Sequence, residues 1–372
     1  MFKRQMNALI LAGVLLFGFA TNTIALADYS TQINNGADYL KAQQNADGSI
    51  AGFGGTTSWA TMTFVAAGVT PNTLAYLQNN QPTSASSSTE WSREILAIVA
   101  AGQNPYDFGG LNYVQGLLTH YSNNQIGGEA YLNDDIFGLL ALLAVGDSVQ
   151  ESIIQDVLTE IITNQETDQG FGWSIGGGGD IDTTAAGVQA LIAAQTKGFS
   201  HPDLNTILIE ALAYLTNAQN TDGGFPYTPG DASNASSSAW AVMALQSAGL
   251  TGTEYDEAQG FIAGSQYGDG SFCWMGCEFG GDTFTTAYAI MALANTSWPI
   301  GEFDGEAPVP TATPSPTPPL TGNTTPTVEP TETTAGDVLA DVARLPETGT
   351  GLEITVLFSV FIVVGVMTKK LL

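Results

Sequence analysis

The segment that decides the fold is Gln219-Asn220-Thr221-Asp222-Gly223-Gly224-Phe225. It returns as Gln266-Tyr267-Gly268-Asp269-Gly270-Ser271-Phe272 and, near the start, as Gln44-Asn45-Ala46-Asp47-Gly48-Ser49-Ile50. A variant runs from Gln165 to Phe171, with Gln169 where the others place glycine. A degenerate copy starts at Gln81, and one more unit fits around Gln125-Ile126-Gly127-Gly128. Self-similarity at such spacing marks a repeat architecture, here of six units. The Asp-Gly pairs at Asp47, Asp222 and Asp269 read as turns, because they lack the spaced ladder of oxygen ligands that calcium needs.

Each copy leads into the same kind of helix, as in Ala185-Ala186-Gly187-Val188-Gln189-Ala190-Leu191 and Ala239-Trp240-Ala241-Val242-Met243-Ala244-Leu245. These helices are apolar on nearly every side, which marks them as buried all round. They stop at Gly68, Gly102, Gly146 and Gly249, where glycine tolerates the left-handed turn that ends a helix. A second, amphipathic helix precedes each Gln motif, as over Leu204 to Ala218, with apolar residues at helical spacing. Six pairs with the apolar member inside close into a ring. The expected fold is an all-α α6/α6 toroid over residues 28–300, and no strand-period alternation competes with it.

The Gln-x3-Gly-x-aromatic repeat, led by residues such as Tyr214 or Phe261, resembles the QW motif of squalene cyclases and protein prenyltransferase β-type subunits. The resemblance covers residues 28–300 and implies the toroid. It implies that Gln219 and Gln266 tie outer helices to the next turn. It does not choose an activity, because such toroids host several.

The two ends carry addresses. Lys3 and Arg4 precede an apolar run, Ala8 to Ala20, and then Ala25-Leu26-Ala27, the pattern of a cleavable signal peptide over residues 1–27. At the other end Leu345-Pro346-Glu347-Thr348-Gly349 precedes an apolar tail and Lys369-Lys370. That order, over residues 345–372, resembles the LPXTG wall-sorting signal, and implies a sortase joining Thr348 to the cell envelope. A plain C-terminal membrane anchor would give the same location without the covalent link. Residues 301–344 are rich in Pro and Thr and read as an extended stalk.

The chain has 8 Lys and Arg against 36 Asp and Glu, a net charge of −28. Removing both ends would take Lys3, Arg4, Lys369 and Lys370 but only one acid, Glu353, so the mature chain is more acidic still. Such a field repels phosphate backbones and excludes nucleic acid as a partner. The only cysteines, Cys273 and Cys277, read as a small-loop disulfide of an exported protein. His120 and His201 lie far from them in sequence, so no zinc set is expected. No cofactor and no obligate partner subunit is expected either.

In the closed toroid the inner helices run parallel, and acids gather before their N-termini. Asp134, Asp135 and Asp282 there, with the aromatics Trp59, Trp173, Trp240 and Tyr288, form the candidate ligand pocket. Glu129, Asp231, Glu278, Trp91, Tyr131, Tyr227 and Trp274 accompany them. Asp180-Ile181-Asp182-Thr183-Thr184-Ala185 resembles the DxDDTA acid motif of class II terpene cyclases. That resemblance implies Asp182 as proton donor and Asp180 as its helper, although Thr183 replaces the last Asp. The competing reading is that Asp182 caps its helix. Asp282 and Asp180 share one repeat position, and Asp182 aligns with Phe284 and Ser236. Three functional readings follow. The first is a surface-displayed module binding an apolar or glycan ligand. The second is an enzyme, a cyclase-like isomerase using Asp182 or a polysaccharide-active enzyme. The third is a plain spacer.

Overall fold

The computed structural model describes residues 28–146, 151–278 and 280–305. The signal peptide, most of the stalk and the sorting signal with its apolar tail lie outside the described residues. Among the described residues no helix is long and apolar enough to cross a membrane.

Among the described residues twelve helices alternate between two layers. The outer ones are α1 (Ser30–Ala42), α3 (Leu74–Asn79), α5 (Tyr113–Leu118), α7 (Glu151–Thr163), α9 (Leu204–Ala218) and α11 (Thr253–Gly264). The inner ones are α2 (Gly54–Ala66), α4 (Ser88–Ala100), α6 (Leu132–Val145), α8 (Ile181–Thr196), α10 (Ala235–Ser247) and α12 (Thr283–Leu293). Each inner helix packs on the next, and α12 returns to α2, so the ring is closed. The expected α6/α6 toroid is the fold. Among the described residues a short antiparallel hairpin, β1 (Tyr121–Ser122) with β2 (Gln125–Ile126), is added in the loop before α6.

The glutamines hold the ring by their side-chain amides. Gln219 Nε2 donates to Gly223 O at 2.8 Å in its own turn and to Glu254 O at 2.7 Å on the next outer helix. Gln44 reaches Gly48 O and Asn72 O in the same way, and Gln165 reaches Gln169 O and Ile207 O. Gln266 bonds Gly270 O and, at 2.8 Å, Gln32 O on α1. That last bond joins the sixth unit to the first.

A second tie fixes five of the inner helices. The fourth residue after the N-cap accepts the backbone N–H of the motif's aromatic or apolar residue. Thr184 Oγ1 takes Phe171 N at 2.8 Å, Ser238 Oγ takes Phe225 N at 2.8 Å, and Thr286 Oγ1 takes Phe272 N at 2.9 Å. Thr57 does the same for Ile50. In the third unit a carboxylate fills this slot, with Asp135 Oδ1 accepting from Ile126 N at 2.7 Å. Phe171, Phe225 and Phe272 are fully buried, and each such ring contributes about 1.5–3 kcal/mol of burial. The small residues of the inner helices make room for them. A Cβ at Gly187 would lie 2.7 Å from Phe171 Cδ2.

The expected glycine stops are present, with φ of +70° at Gly68, +68° at Gly102, +73° at Gly146 and +65° at Gly249. The Asp-Gly turns are Asx turns. Asp47 Oδ1 accepts Ser49 N, Asp222 Oδ1 accepts Gly224 N, and Asp269 Oδ1 accepts Ser271 N. Cys273 and Cys277 are disulfide-bonded.

One repeat position is occupied against its backbone. Gly48, Gly223 and Gly270 stand at φ of +92°, +84° and +94°, whereas Gln169 in the same place stands at +77°. A left-handed conformation costs a side-chain-bearing residue about 1–2 kcal/mol, and glycine returns part of that through its freer unfolded chain. Gln169→Gly is expected to raise unfolding stability by about 1 kcal/mol, read as a melting temperature roughly 2 °C higher. An unchanged or lower value would refute the strain at this turn.

Candidate functional site

The inner helices present their N-termini at one mouth. Asn133 N donates to Trp173 O, Ile181 N to Tyr227 O, and Ala235 N to Trp274 O, so neighbouring helix starts lie side by side. The carbonyl acceptors of these three bonds belong to aromatic residues two places beyond the motif's phenylalanine. Their side chains stand outward. Trp173 is 48% exposed, Tyr227 46% and Trp274 44%, and Tyr131 at the start of α6 is 48% exposed. An aromatic rim therefore surrounds the mouth.

Below the rim, the sixth residue after each N-cap points to the axis. Trp59 on α2 meets Phe137 on α6 at 6.1 Å and Trp240 on α10 at 6.3 Å. These helices are not ring neighbours, so the side chains meet across the centre. Tyr288 on α12 joins them, 5.5 Å from Trp59 and 5.3 Å from Trp240. The other two members of this layer are Arg93 on α4 and the small Ala186 on α8.

The far end of the axis is closed by the segment after α12. Trp298 stacks on Trp59 at 4.8 Å and meets Trp240 edge-on at 4.4 Å. Its backbone N–H donates to Gln189 Oε1 on α8 at 2.9 Å. The chain then crosses to α6, where Phe303 N donates to Ala144 O at 2.9 Å. Lys197 and Glu302 pair beside this crossing. The folded part thus runs past the expected boundary at Ile300.

Of the two acids singled out, Asp180 does the capping. Its Oδ1 accepts Thr183 N at 2.7 Å, as Asn234 does for Ser237 N and Asp282 for Thr285 N, both at 2.8 Å. Asp182 does not cap, which corrects that reading. It sits one turn above Ala186 on the same face and bonds the side chain of Ser237 on α10. The residue as a whole is half-buried, but its Oδ1 is out of reach of water and has no hydrogen-bond partner. Burial pushes its carboxyl up to about 7; the Ser237 bond opposes this, and the nearby Asp180 charge adds to it. Burial also raises Asp180 above the usual carboxylate range, against its bond from Thr183 N.

The remaining candidates divide. Trp59, Trp240 and Tyr288 meet on the axis. Trp173 stands on the rim. Asp282 is bound to its helix start. Asp134 Oδ2 accepts Gly128 N at 3.1 Å, and with Asp135 it is spent on the loop that carries β2. Trp91 points outward instead, against Tyr113 at 5.7 Å. Sequence reasoning passed over Arg93, Phe137, Ser237 and Trp298. Phe137 and Ser237 lie near the starts of inner helices and could have been found by extending the repeat register, whereas Arg93 lies in the second unit, where the motif is degenerate. Trp298 has no repeat counterpart. Among the described residues no group of three or more His, Cys, Asp or Glu is placed to hold a metal ion. A recess of about 510 Å³ lined by Glu151, Gln155, Lys197 and Phe199 lies at the opposite end of the inner helices and holds none of the site residues.

A model of the prenyltransferase alpha-alpha toroid domain matches residues 10–112 and 113–308. Among solved structures, the type II terpene cyclase MstE from Scytonema superposes with a TM-score of 0.53 at 14% identity, covering 71% of this chain and 97% of that one. A glycosyl hydrolase of family 88 from Bacteroides vulgatus gives 0.54 at 8% identity, covering 72% and 99%. The ent-copalyl diphosphate synthase from Streptomyces platensis gives 0.50 at 14%, covering 65% of this chain and 50% of that one. At these identities the likeness is one of fold. No curated protein matches the chain.

Three buried carboxyls set a pH dependence. Burial pushes Glu94 and Asp135 to about 7, as it does Asp182. Their unfolded counterparts lose protons near pH 4. Between about 4 and about 7 the folded state therefore holds more protons than the unfolded one, and stability falls as pH rises. The chain is expected to melt higher at pH 5 than at pH 8. Asp182→Asn, Asp135→Asn and Glu94→Gln should each flatten the slope by one proton's share. A melting temperature that rises over this interval would contradict the assignment.

Proposed function

We propose that this chain, which belongs to the prenyltransferase alpha-alpha toroid domain family, is a cell-surface module that binds an apolar ligand through the N-terminal mouth of its ring. The observation that carries the reading is the axial layer, where Trp59, Phe137, Trp240 and Tyr288 converge from four different inner helices. Rings brought together across a closed axis offer a floor of aromatic faces and edges, which favours apolar bodies. The exposed rim adds four more large side chains at the entrance. With Trp298 filling the far end, the mouth is the route in and out. Display rests on the signal peptide and on Leu345 to Gly349, with sortase and the envelope as partners and the Pro/Thr stretch as stalk.

A second reading has its own support. Asp182 keeps one oxygen free of partners while standing at the edge of the aromatic layer. A carboxyl that is half protonated near neutral pH can donate a proton to an alkene held there, and aromatic faces attract the cation that results. A polysaccharide-active reading is weaker, because it needs two free carboxyls facing one cleft. Asp134, Asp135, Asp180 and Asp282 are each bonded to backbone N–H groups.

The test uses the full chain with farnesol, squalene and a chitin or peptidoglycan oligosaccharide. Binding of a terpenoid is expected to raise the melting temperature and to shift tryptophan emission, since Trp59 and Trp240 line the floor. No response to farnesol or squalene would overturn the apolar-ligand reading. Cyclised product from squalene that disappears in Asp182→Asn, with binding kept, would establish the second reading over the first.

A further inference from the structure

The folded ring contains three strongly basic side chains, Lys41, Arg93 and Lys197. Lys41 pairs with Asp38 and Lys197 with Glu302. Arg93 makes none of the ion pairs or hydrogen bonds among the described residues, and its Nε is buried without a partner. It occupies the axial layer with Trp59 and Tyr288, and its charge is felt at Tyr288 on α12. In so acidic a chain, a half-buried guanidinium in no ion pair, with only the adjacent Glu94 carboxyl within reach of its charge, is an unmet demand. Burying a cation is costly unless it is paired.

The acids nearest to it do not meet that demand. Glu94 follows it on α4, but its Oε1 accepts the Ser58 hydroxyl at 2.6 Å and its Oε2 has no partner at all. Burial holds that carboxyl up to about 7, so near neutral pH it is a partial charge at most. Asp182, on α8, bonds Ser237. Glu90 lies one turn back on α4 and forms no ion pair with Arg93.

The surroundings favour an anion. A Cβ on Gly55 would sit 3.5 Å from Arg93 Cζ, so the guanidinium lies against the first turn of α2. That helix starts Gly54-Gly55 after Phe53, whose side chain gives no cap, unlike Ser87, Asp180, Asn234 and Asp282 at four other inner helices. Its first N–H groups have no acceptor within the helix and carry partial positive charge. Space is open where a Cβ on Gly54 would point.

We infer that the ligand of the axial mouth is an amphipathic carboxylic acid, its carboxylate paired with Arg93 and its apolar body on the Trp59–Phe137–Trp240–Tyr288 floor. The inference rests on the reading of the mouth as a ligand site. A planar guanidinium offers a carboxylate two parallel N–H donors. Neutral and cationic analogues would leave it unpaired.

The full chain is titrated with dodecanoate and farnesoate and with the matching alcohols, dodecanol and farnesol, at low salt and neutral pH. Each acid is expected to bind at least tenfold tighter than its alcohol. A response to one acid alone would identify the body as alkyl or isoprenoid and supports the inference equally. Arg93→Gln should bring acid binding down to the alcohol's level, and Arg93→Lys should keep part of the preference. Equal binding of acid and alcohol by the unmodified chain would overturn the inference while leaving the apolar site standing. So would an Arg93→Gln variant that weakens both alike. Binding of none of the four would remove the site itself. If Arg93→Gln does not fold, the acid-to-alcohol ratio of the unmodified chain decides alone.

Discussion

The bond from Gln266 Nε2 to Gln32 O closes a ring of twelve helices. A primary amide has two N–H donors, and at four of the motifs the amide binds both the local turn and the neighbouring outer helix or, at Asn72, the residues just before it. Each bond is worth about 1 kcal/mol net. Their geometric effect is larger than that energy, because they fix the angle between successive units. Six units at one angle must meet, and the meeting is what creates an axis. Where the motif decays the tie changes form. Gln81 reaches Phe108 O, and Gln125 reaches the Glu160 carboxylate instead of a turn carbonyl.

Closure fixes register, and register decides what chemistry the axis can hold. Counting from the N-cap, the second residue faces the mouth, the fourth bonds the motif and the sixth meets its counterparts on the axis. In five units the fourth position is Thr, Ser or Asp and accepts an N–H, and in the second it is Trp91. The second and sixth positions have no such duty, and there the units diverge. Asp182 stands where its relatives in the ring have Ser236 and Phe284, and Arg93 stands where others have Trp or Tyr. Departures from the repeat at unconstrained positions are where a particular ligand would be written into a common scaffold.

The helices, their glycine stops and the ring were legible because they rest on local composition repeated six times. The site was legible only in part. Trp59, Trp240 and Tyr288 were found because they lie in well-formed copies, two residues past the hydroxyl slot. Arg93 lies in the second unit, where the motif is degenerate and its register cannot be counted from Gln81. Trp91 misled for the same reason, since it fills the slot that faces the outer layer. Asp180 and Asp182 are two residues apart, and composition alone does not say which one is the N-cap. Only the extended backbone of Asp180, φ −125° and ψ 161°, separates them. Trp298 belongs to no repeat, and a sequence read by its repeats has no place for it.

That last residue changes what the ring is. With an open axis, a toroid is a channel with two mouths, and a ligand can pass through. Trp298 stacks on the aromatic layer and its chain continues across the ends of α6 and α8, so the far end of this axis is closed. A ligand on the proposed floor would have one route in and out, and whatever lines that route would act on every arrival and departure. In a chain of net charge −28 the outer field repels anions at a distance. An acid paired with Arg93, as inferred above, would therefore be held by short-range pairing and burial rather than by steering. In salt the field of exposed charges reaches only about 10 Å at 0.1 M. Added salt would then relieve the long-range repulsion while weakening the buried pair much less, and entry should quicken where departure barely changes.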